Sequence, residues 1–337
     1  MTTTAYTFVP AYQHKFPDHP ESPARLAELN SLFARLSDVA RIDALPVTVE
    51  QVARAHHPQL IKAVAEVCKQ GPGIVDHAPT YVTQTSYLDA LLAAGGTIAC
   101  AQAVLNGDAK NAFALVRPPG HHAEPDHVMG FCIFNNIAIA AREALSSGMD
   151  RVMVIDFDAH HGNGTQAACI DDERFGFIST HQQGIYPGTG WIEDAPHARG
   201  RLVNVPLDAF AGDEVFNRVA DDIFQPIVEK FRPQMLFVSA GFDSHWNDPL
   251  TSLGLSTWGF FNISKKLVDL AEEYCGGKIV FVLEGGYDPI NVANGSAAVF
   301  DALTNSTLSG EVNDPCPRRE PDHEPRIAQI RRLHGIE

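Results

Sequence analysis

No Cys-x-x-Cys pair occurs among the six cysteines, which stand at positions 68, 100, 132, 169, 275 and 316 of a 337-residue chain. That scatter speaks against a cysteine-type zinc site and against a disulfide scaffold, so a reducing, intracellular compartment is expected, the cytoplasm first, with nucleus or organelle open. Runs of lysine or arginine are missing as well, and the net charge is −16. Nucleic acid is therefore not expected as a direct ligand, whereas a cationic substrate or partner suits the field. The chain has no stretch approaching the ~20 consecutive apolar residues of a membrane span, and no membrane contact is expected. Met1 to Phe8 has neither a basic flank with an apolar run nor an Arg/Ser-rich amphipathic pattern, so no targeting peptide is read there. Internal repeats and low-complexity tracts are absent too. Oligomeric state is left open.

What is present is one design used several times: a short apolar run, a turn rich in polar residues or glycine, then a helical pattern. Ala112 to Val116 leads into Arg117-Pro118-Pro119-Gly120-His121-His122, and Val152 to Ile155 into Asp156. Arg174 to Ile178 leads into Ser179-Thr180-His181, Met235 to Ser239 into Ala240-Gly241-Phe242-Asp243, and Lys278 to Leu283 into Glu284-Gly285-Gly286-Tyr287. Helices are predicted over Tyr87 to Leu105, Ile133 to Leu145, Phe216 to Lys230, Trp258 to Tyr274 and Ile290 to Leu303. Strands alternating with helices predict a single-domain α/β fold, its central, mostly parallel sheet covered by helices on both faces. Ligands of such sheets bind outside the carboxyl ends of the strands, where the unusual polar clusters fall. Residues 1–310 are expected to form the main unit. Residues 311–337, with Pro315, Pro317, Pro321 and Pro325, read as an extended strap and short helix of the same unit.

The densest chemistry follows Val152 to Ile155, where the chain reads Asp156-Phe157-Asp158-Ala159-His160-His161-Gly162-Asn163-Gly164. Ionisable side chains at the end of a strand buried on both faces are costly, since even a neutral polar group loses about 2–7 kcal/mol unpaired. A divalent cation removes that cost, and in extended chain Asp158 and His160 point to the same side. An acidic solvated loop is the bland alternative. Asp243 is the candidate third ligand. Two carboxylates and one imidazole leave coordination positions open, which suits a catalytic zinc site. His121 and His122, fixed by the preceding Pro118-Pro119-Gly120 turn, are candidate acid/base groups.

These segments resemble the zinc-dependent histone deacetylase family, and most closely its class II branch. The resemblance rests on Arg-Pro-Pro-Gly-His-His-Ala (117–123), Gly-Phe-Cys-Ile-Phe-Asn-Asn (130–136), Asp-Phe-Asp-Ala-His-His-Gly-Asn-Gly-Thr-Gln (156–166), Tyr-Pro-Gly-Thr-Gly (186–190), Ser-Ala-Gly-Phe-Asp (239–243) and Leu-Glu-Gly-Gly-Tyr (283–287). His-Pro-Glu-Ser-Pro-Ala-Arg-Leu (19–26) matches the family's N-terminal motif, and the likeness runs to about Leu303. Asn163 stands where class I members carry a second aspartate.

The resemblance implies an arginase/deacetylase-like fold for residues 1–310 and a role for each motif residue. Asp158, His160 and Asp243 would hold zinc, with His122 as general base and His121, polarised by Asp156, stabilising charge. Asn163 would orient His122, and Tyr287 would donate to the substrate carbonyl. Gly130 would offer its carbonyl to the substrate, and Phe131 and Tyr186 would flank the acyl-lysine stem. Arg25 would line an inner cavity, although a structural salt bridge is its plain alternative. Asp156, Asp158, His160, Ser179 and Thr180 would surround a potassium ion. The expected substrate is acetyl-lysine in proteins, with a small acetylated amine (a polyamine or an aromatic amine) as the competitor. Polyamine-selective relatives in one subgroup place a glutamate after the Asp-Pro following the third ligand; here Leu250 occupies that position. An inactive acyl-binding domain is disfavoured, because ligands, histidines and tyrosine are all present.

Overall fold

The computed structural model describes residues 3–36, 38–308 and 314–337. Its centre is an eight-stranded sheet: β1 Thr3–Val9, β2 Val39–Arg41, β3 Ala109–Val116, β4 Val152–Asp156, β5 Phe175–Gln182, β6 Leu202–Leu207, β7 Met235–Ala240 and β8 Ile279–Leu283. The spatial order is β2-β1-β3-β8-β7-β4-β5-β6, and every pairing is parallel. Parallel neighbours need crossover connections, and helices supply them. A separate two-stranded antiparallel pair, Gly73–Ile74 with Tyr81–Val82, lies outside the sheet.

Alternation along the strands divides the core in two. Phe113, Leu115, Met153, Ile155, Phe281 and Leu283 join one apolar cluster with helices Thr257–Cys275 and Pro289–Leu303. Ala112, Ala114, Val152, Val154, Val280 and Val282 join the other with helices Ser86–Asn106 and Asn136–Ser146. With both faces covered, the strands can be apolar on both sides, and the runs read from sequence are of that kind.

The structure alters four expectations. Helix Ser86–Asn106, at 21 residues, is long and apolar enough to cross a membrane by length and composition. Here it packs on β1 and β3 and under helix Asn136–Ser146, and that double packing explains an apolar surface on most of its sides. The single helix expected over Phe216 to Lys230 is interrupted: Asp213–Val219 and Gln225–Phe231 are joined by a π-helical turn, Ala220–Phe224. Pro226 has no N–H to give to the carbonyl four residues back, which accounts for the break. Ser179, Thr180 and His181 lie inside β5 rather than in a turn after it, and all three are buried. Finally, β1, β2 and β6 were not anticipated as strands. The junction at residues 310 and 311 falls outside the described residues, but the segment after it is tied down. Glu320 accepts the backbone N–H groups of Gly212, Glu214 and Val215, each at 2.9 Å, capping the start of helix Asp213–Val219.

Candidate metal centre and active site

Strands β4 and β7 are neighbours in register, Asp156 opposite Ser239, so the residues that follow them meet. Asp158 and His160 come from the first and Asp243 from the second, and their ligand atoms all lie within 4.8 Å of one another. The Nδ1 atom of His160 sits 3.1 Å from Asp158 Oδ1 and 3.0 Å from Asp243 Oδ2. Both carboxylates have no exposure to solvent. Their other contacts hold them in place: Asp243 Oδ1 accepts from Ala159 N at 3.0 Å and Asp158 Oδ2 from Gly285 N at 2.8 Å. Burial raises the Asp243 carboxyl above its ordinary range, and the Asp158 charge beside it raises it further. Two buried carboxylates and an imidazole converging on one point fit a divalent cation of zinc type, which would relieve this repulsion. The backbone just beyond β8 comes so close that a Cβ on Gly285 would stand 2.2 Å from Asp243 Oδ2. Only glycine can occupy that position without displacing a ligand.

His121 and His122 follow β3, two strands from β7, with ring centroids 4.0 Å apart. His121 Nδ1 lies 3.0 Å from Asp156 Oδ2, and His122 Nδ1 lies 2.8 Å from Asn163 Oδ1. Burial alone would lower both. For His121 the Asp158 and Asp156 charges prevail and hold it up to about 10. His122 is driven well below its ordinary 6.5 by burial and then by His121 and His160. The two neighbouring rings are pushed in opposite directions, the separation an acid/base site needs.

A pocket of about 180 Å³ opens over these groups, lined by Ala78, Pro79, His122, Gly130, Phe131, His160, Tyr186, Leu250 and Tyr287. The Tyr186 ring meets His122 edge-on at 5.1 Å, and Phe131 meets Tyr287 edge-on at 6.0 Å. Gly130 has φ of 58°, and a Cβ there would lie 2.4 Å from His122 Cδ2, which explains the glycine beside the base. Burial pushes the Tyr287 phenol well above its ordinary 10, keeping it a hydrogen-bond donor. The Tyr186 hydroxyl is buried and has no partner within hydrogen-bond geometry among the described residues.

Arg25 does not line this pocket. Its Nε donates to Gly286 O at 2.6 Å, its Nη2 to Glu284 O at 2.5 Å and its Nη1 to Glu21 Oε1 at 3.2 Å. Its guanidinium also lies 4.9 Å from the Tyr287 ring centroid. It thus anchors the loop that carries Tyr287. Among the potassium candidates, Thr180 Oγ1 donates to the Asp156 carbonyl at 3.1 Å, and Ser179 Oγ lies 3.0 Å from His181 Nδ1.

Three supporting carboxylates had no assigned role in the sequence reading. Glu284 Oε2 accepts Gly120 N at 2.7 Å and His121 N at 3.1 Å, pinning the histidine turn to the end of β8. Asp248 accepts the N–H groups of Tyr287 and Leu250. Glu124 accepts from the Asn163 side chain at 2.7 Å. Each partner lies 39 or more residues away except Leu250, so local pattern carried no signal.

The fold and this site define an α/β protein that gathers three candidate metal ligands, a histidine pair and a tyrosine beyond the carboxyl ends of its parallel strands. The chain belongs to the histone deacetylase family: residues 19–303 match the histone deacetylase domain. It is 42% identical over 278 residues to a probable deacetylase of Archaeoglobus fulgidus, covering 80% of this chain and 77% of the other. A histone deacetylase-like amidohydrolase of Pseudomonas aeruginosa is 39% identical, covering 88% and 79%. Histone deacetylase 14, chloroplastic, of Arabidopsis thaliana is 38% identical, covering 92% and 79%. Among solved structures, the HDA15 HD domain superposes with a TM-score of 0.88 at 31% identity, covering 99% of this chain and 94% of that one.

Proposed function

We propose that the protein is a zinc-dependent hydrolase of N-acetyl amides and that its substrate is acetyl-lysine in proteins. The observation that carries this reading is that His122, Tyr287 and His160, the last being one of three clustered metal-ligand candidates, line one pocket of about 180 Å³. Zinc held by Asp158, His160 and Asp243 would supply a Lewis acid that polarises the acyl carbonyl and makes water nucleophilic at neutral pH. His122 Nε2 takes the proton from the attacking water and returns it to the leaving amine. His121, charged and held by Asp156, stabilises the negative charge that develops beside it. Tyr287 donates its hydroxyl to the acyl oxygen as that oxygen becomes negative. Phe131 and Tyr186 flank an uncharged stem, and the Gly130 carbonyl accepts the amide N–H.

Asp156, Asp158, His160, Ser179 and Thr180 are read as the surroundings of a potassium ion, supported by the buried Thr180 hydroxyl on the Asp156 carbonyl. Unpaired cysteines, five of the six buried, suit a reducing compartment such as the cytoplasm. Assay of the zinc-loaded protein on an acetyl-lysine peptide, acetylspermidine and an N-acetylated aromatic amine tests the substrate. Turnover of the peptide at least equal to that of the two small amines is expected. A preference for either small amine by more than about tenfold in kcat/KM, some 1.4 kcal/mol, would overturn the protein-substrate reading.

A further inference from the structure

The Asn163 side chain faces His122 on one side and a carboxylate on the other. Its Oδ1 lies 2.8 Å from His122 Nδ1, and its Nδ2 lies 2.7 Å from Glu124 Oε1. Nδ2 also approaches Met129 Sδ at 3.3 Å and the His122 carbonyl at 3.4 Å. A carboxylate, a thioether and a carbonyl can only accept, so the amide NH₂ must point toward them. The amide oxygen then faces His122, and an oxygen there requires the proton of the neutral imidazole to sit on Nδ1. Nε2 is left with its lone pair. We propose that Glu124 is a positioning residue that fixes the Asn163 amide and thereby selects the His122 tautomer able to act as base.

An aspartate at position 163 would need no such help, because its two oxygens are equivalent. An asparagine can turn over and present NH₂ to His122, which selects the tautomer protonated on Nε2. Of the three acceptors behind Asn163, the Glu124 carboxylate is the closest and the only charged one. Its backbone is held as tightly as its task demands. Glu124 N donates to His127 O at 3.0 Å, and Glu124 O lies 2.9 Å from His56 Nδ1. His56 is buried, and its Nε2 accepts from Asn135 N at 2.8 Å, so its Nδ1 carries the proton it gives to Glu124. His57 N binds the next carbonyl, that of Pro125, at 2.7 Å. The acceptor is therefore placed by a fixed loop rather than by a mobile side chain alone.

The inference rests on reading His122 as the base, and its test separates the two. The first measurement is the ¹⁵N shifts of the His122 ring in the unmodified protein, assigned by their loss in His122→Ala. A neutral ring protonated on Nδ1 is expected; protonation on Nε2 overturns the proposal whatever the enzyme hydrolyses. In Glu124→Leu a second population protonated on Nε2 should appear, and kcat should fall roughly 10–100-fold with KM unchanged, the usual scale for a group supporting a catalytic imidazole. Glu124→Gln keeps an acceptor and should lose less. Asn163→Asp alone sets two carboxylates against each other and should impair the enzyme. Combined with Glu124→Leu it should recover to within about threefold of the parent, a coupling that independent sites would not show. Parental kcat and unchanged ring shifts in Glu124→Leu, or a double variant no better than Glu124→Leu, would refute the assignment.

Discussion

Asp248 accepts the backbone N–H of Tyr287 at 2.8 Å through Oδ2 and that of Leu250 at 2.9 Å through Oδ1. One carboxylate therefore joins the loop bearing the phenolic donor to the rim of the pocket. Tyr287 is held from the other side by Arg25, whose bonds to the Glu284 and Gly286 carbonyls fix the preceding turn. The phenol is placed by its backbone, so loosening that backbone should weaken the donor without removing it.

Two variants separate these effects. Tyr287→Phe should retain zinc and substrate affinity while kcat falls roughly 10²–10³-fold, the loss expected for one oxyanion donor. Asp248→Asn keeps one acceptor oxygen and should fall between the parent and Tyr287→Phe in kcat. Steady-state kinetics with zinc content measured in parallel checks both. A Tyr287→Phe enzyme at parental turnover would mean that another group polarises the carbonyl.

Gly285 offers a test of the metal centre that leaves every ligand in place. A Cβ there would stand 2.2 Å from Asp243 Oδ2 and 2.5 Å from Asp158 Oδ2, so Gly285→Ala must push one carboxylate aside. Substoichiometric zinc is expected, with the loss approaching that of Asp243→Ala, which removes one of three ligands outright. Full zinc occupancy and parental activity in Gly285→Ala would be inconsistent with a metal held by these two carboxylates.

Glu21 carries a pH dependence of stability away from the metal. It is fully buried and accepts from Arg117 Nε at 2.5 Å, Arg117 Nη2 at 2.9 Å and Tyr81 Oη at 3.2 Å. Burial alone would raise its carboxyl, but Arg117 and His14 outweigh it and hold the group well below its ordinary 4.5. A folded pKa below the unfolded one means stability that is present above about 4.5 and is lost as the pH falls below it. Glu21→Gln strands the buried Arg117 charge and should cost roughly 3–5 kcal/mol at pH 7, with a shallower acid dependence than the parent. Urea unfolding between neutral pH and the acid limit measures this. Parallel curves for the two proteins would show that Glu21 does not titrate with folding.

Sequence made the site more legible than its support. Val152 to Ile155 and the runs leading to His121, Asp243 and Tyr287 are apolar on both faces, so the sheet could be read from them. Thr3–Val9 escaped because Thr4 and Thr7 interrupt its apolar pattern, although both are buried in the parallel sheet. Ser179 to His181 were placed one element too late, since a buried polar stretch within a strand looks like the turn after it. Glu124 and Asp248 stand outside the recognisable motifs and Glu21 and Glu284 within them, but the meaning of all four comes from partners brought near only by the fold. Arg25 carries an inner-cavity role by resemblance and a salt bridge as its plain alternative; the structure shows the bond to Glu21 and, beyond it, two bonds that anchor the Tyr287 loop.

Leu250 offers a test of what the rim of the pocket rewards. It lines the mouth at 44% exposure, and its backbone is fixed by Asp248, so a side chain substituted there has a defined starting point. A leucine offers nothing to a distant ammonium, which gives acetylspermidine no advantage over an acetyl-lysine peptide. Leu250→Glu places a carboxylate at the mouth, where a partly desolvated charge pair contributes about 1–3 kcal/mol. The kcat/KM for acetylspermidine relative to peptide should therefore rise by roughly tenfold or more, since 1.4 kcal/mol is one decade. The overall charge of −16 attracts both cationic substrates and cancels in that ratio. Increasing ionic strength should diminish the gain, because a pair at the rim is screened by salt. An unchanged ratio in Leu250→Glu would show that the stem's far end does not pass this residue, and selectivity would then have to be set elsewhere along the pocket.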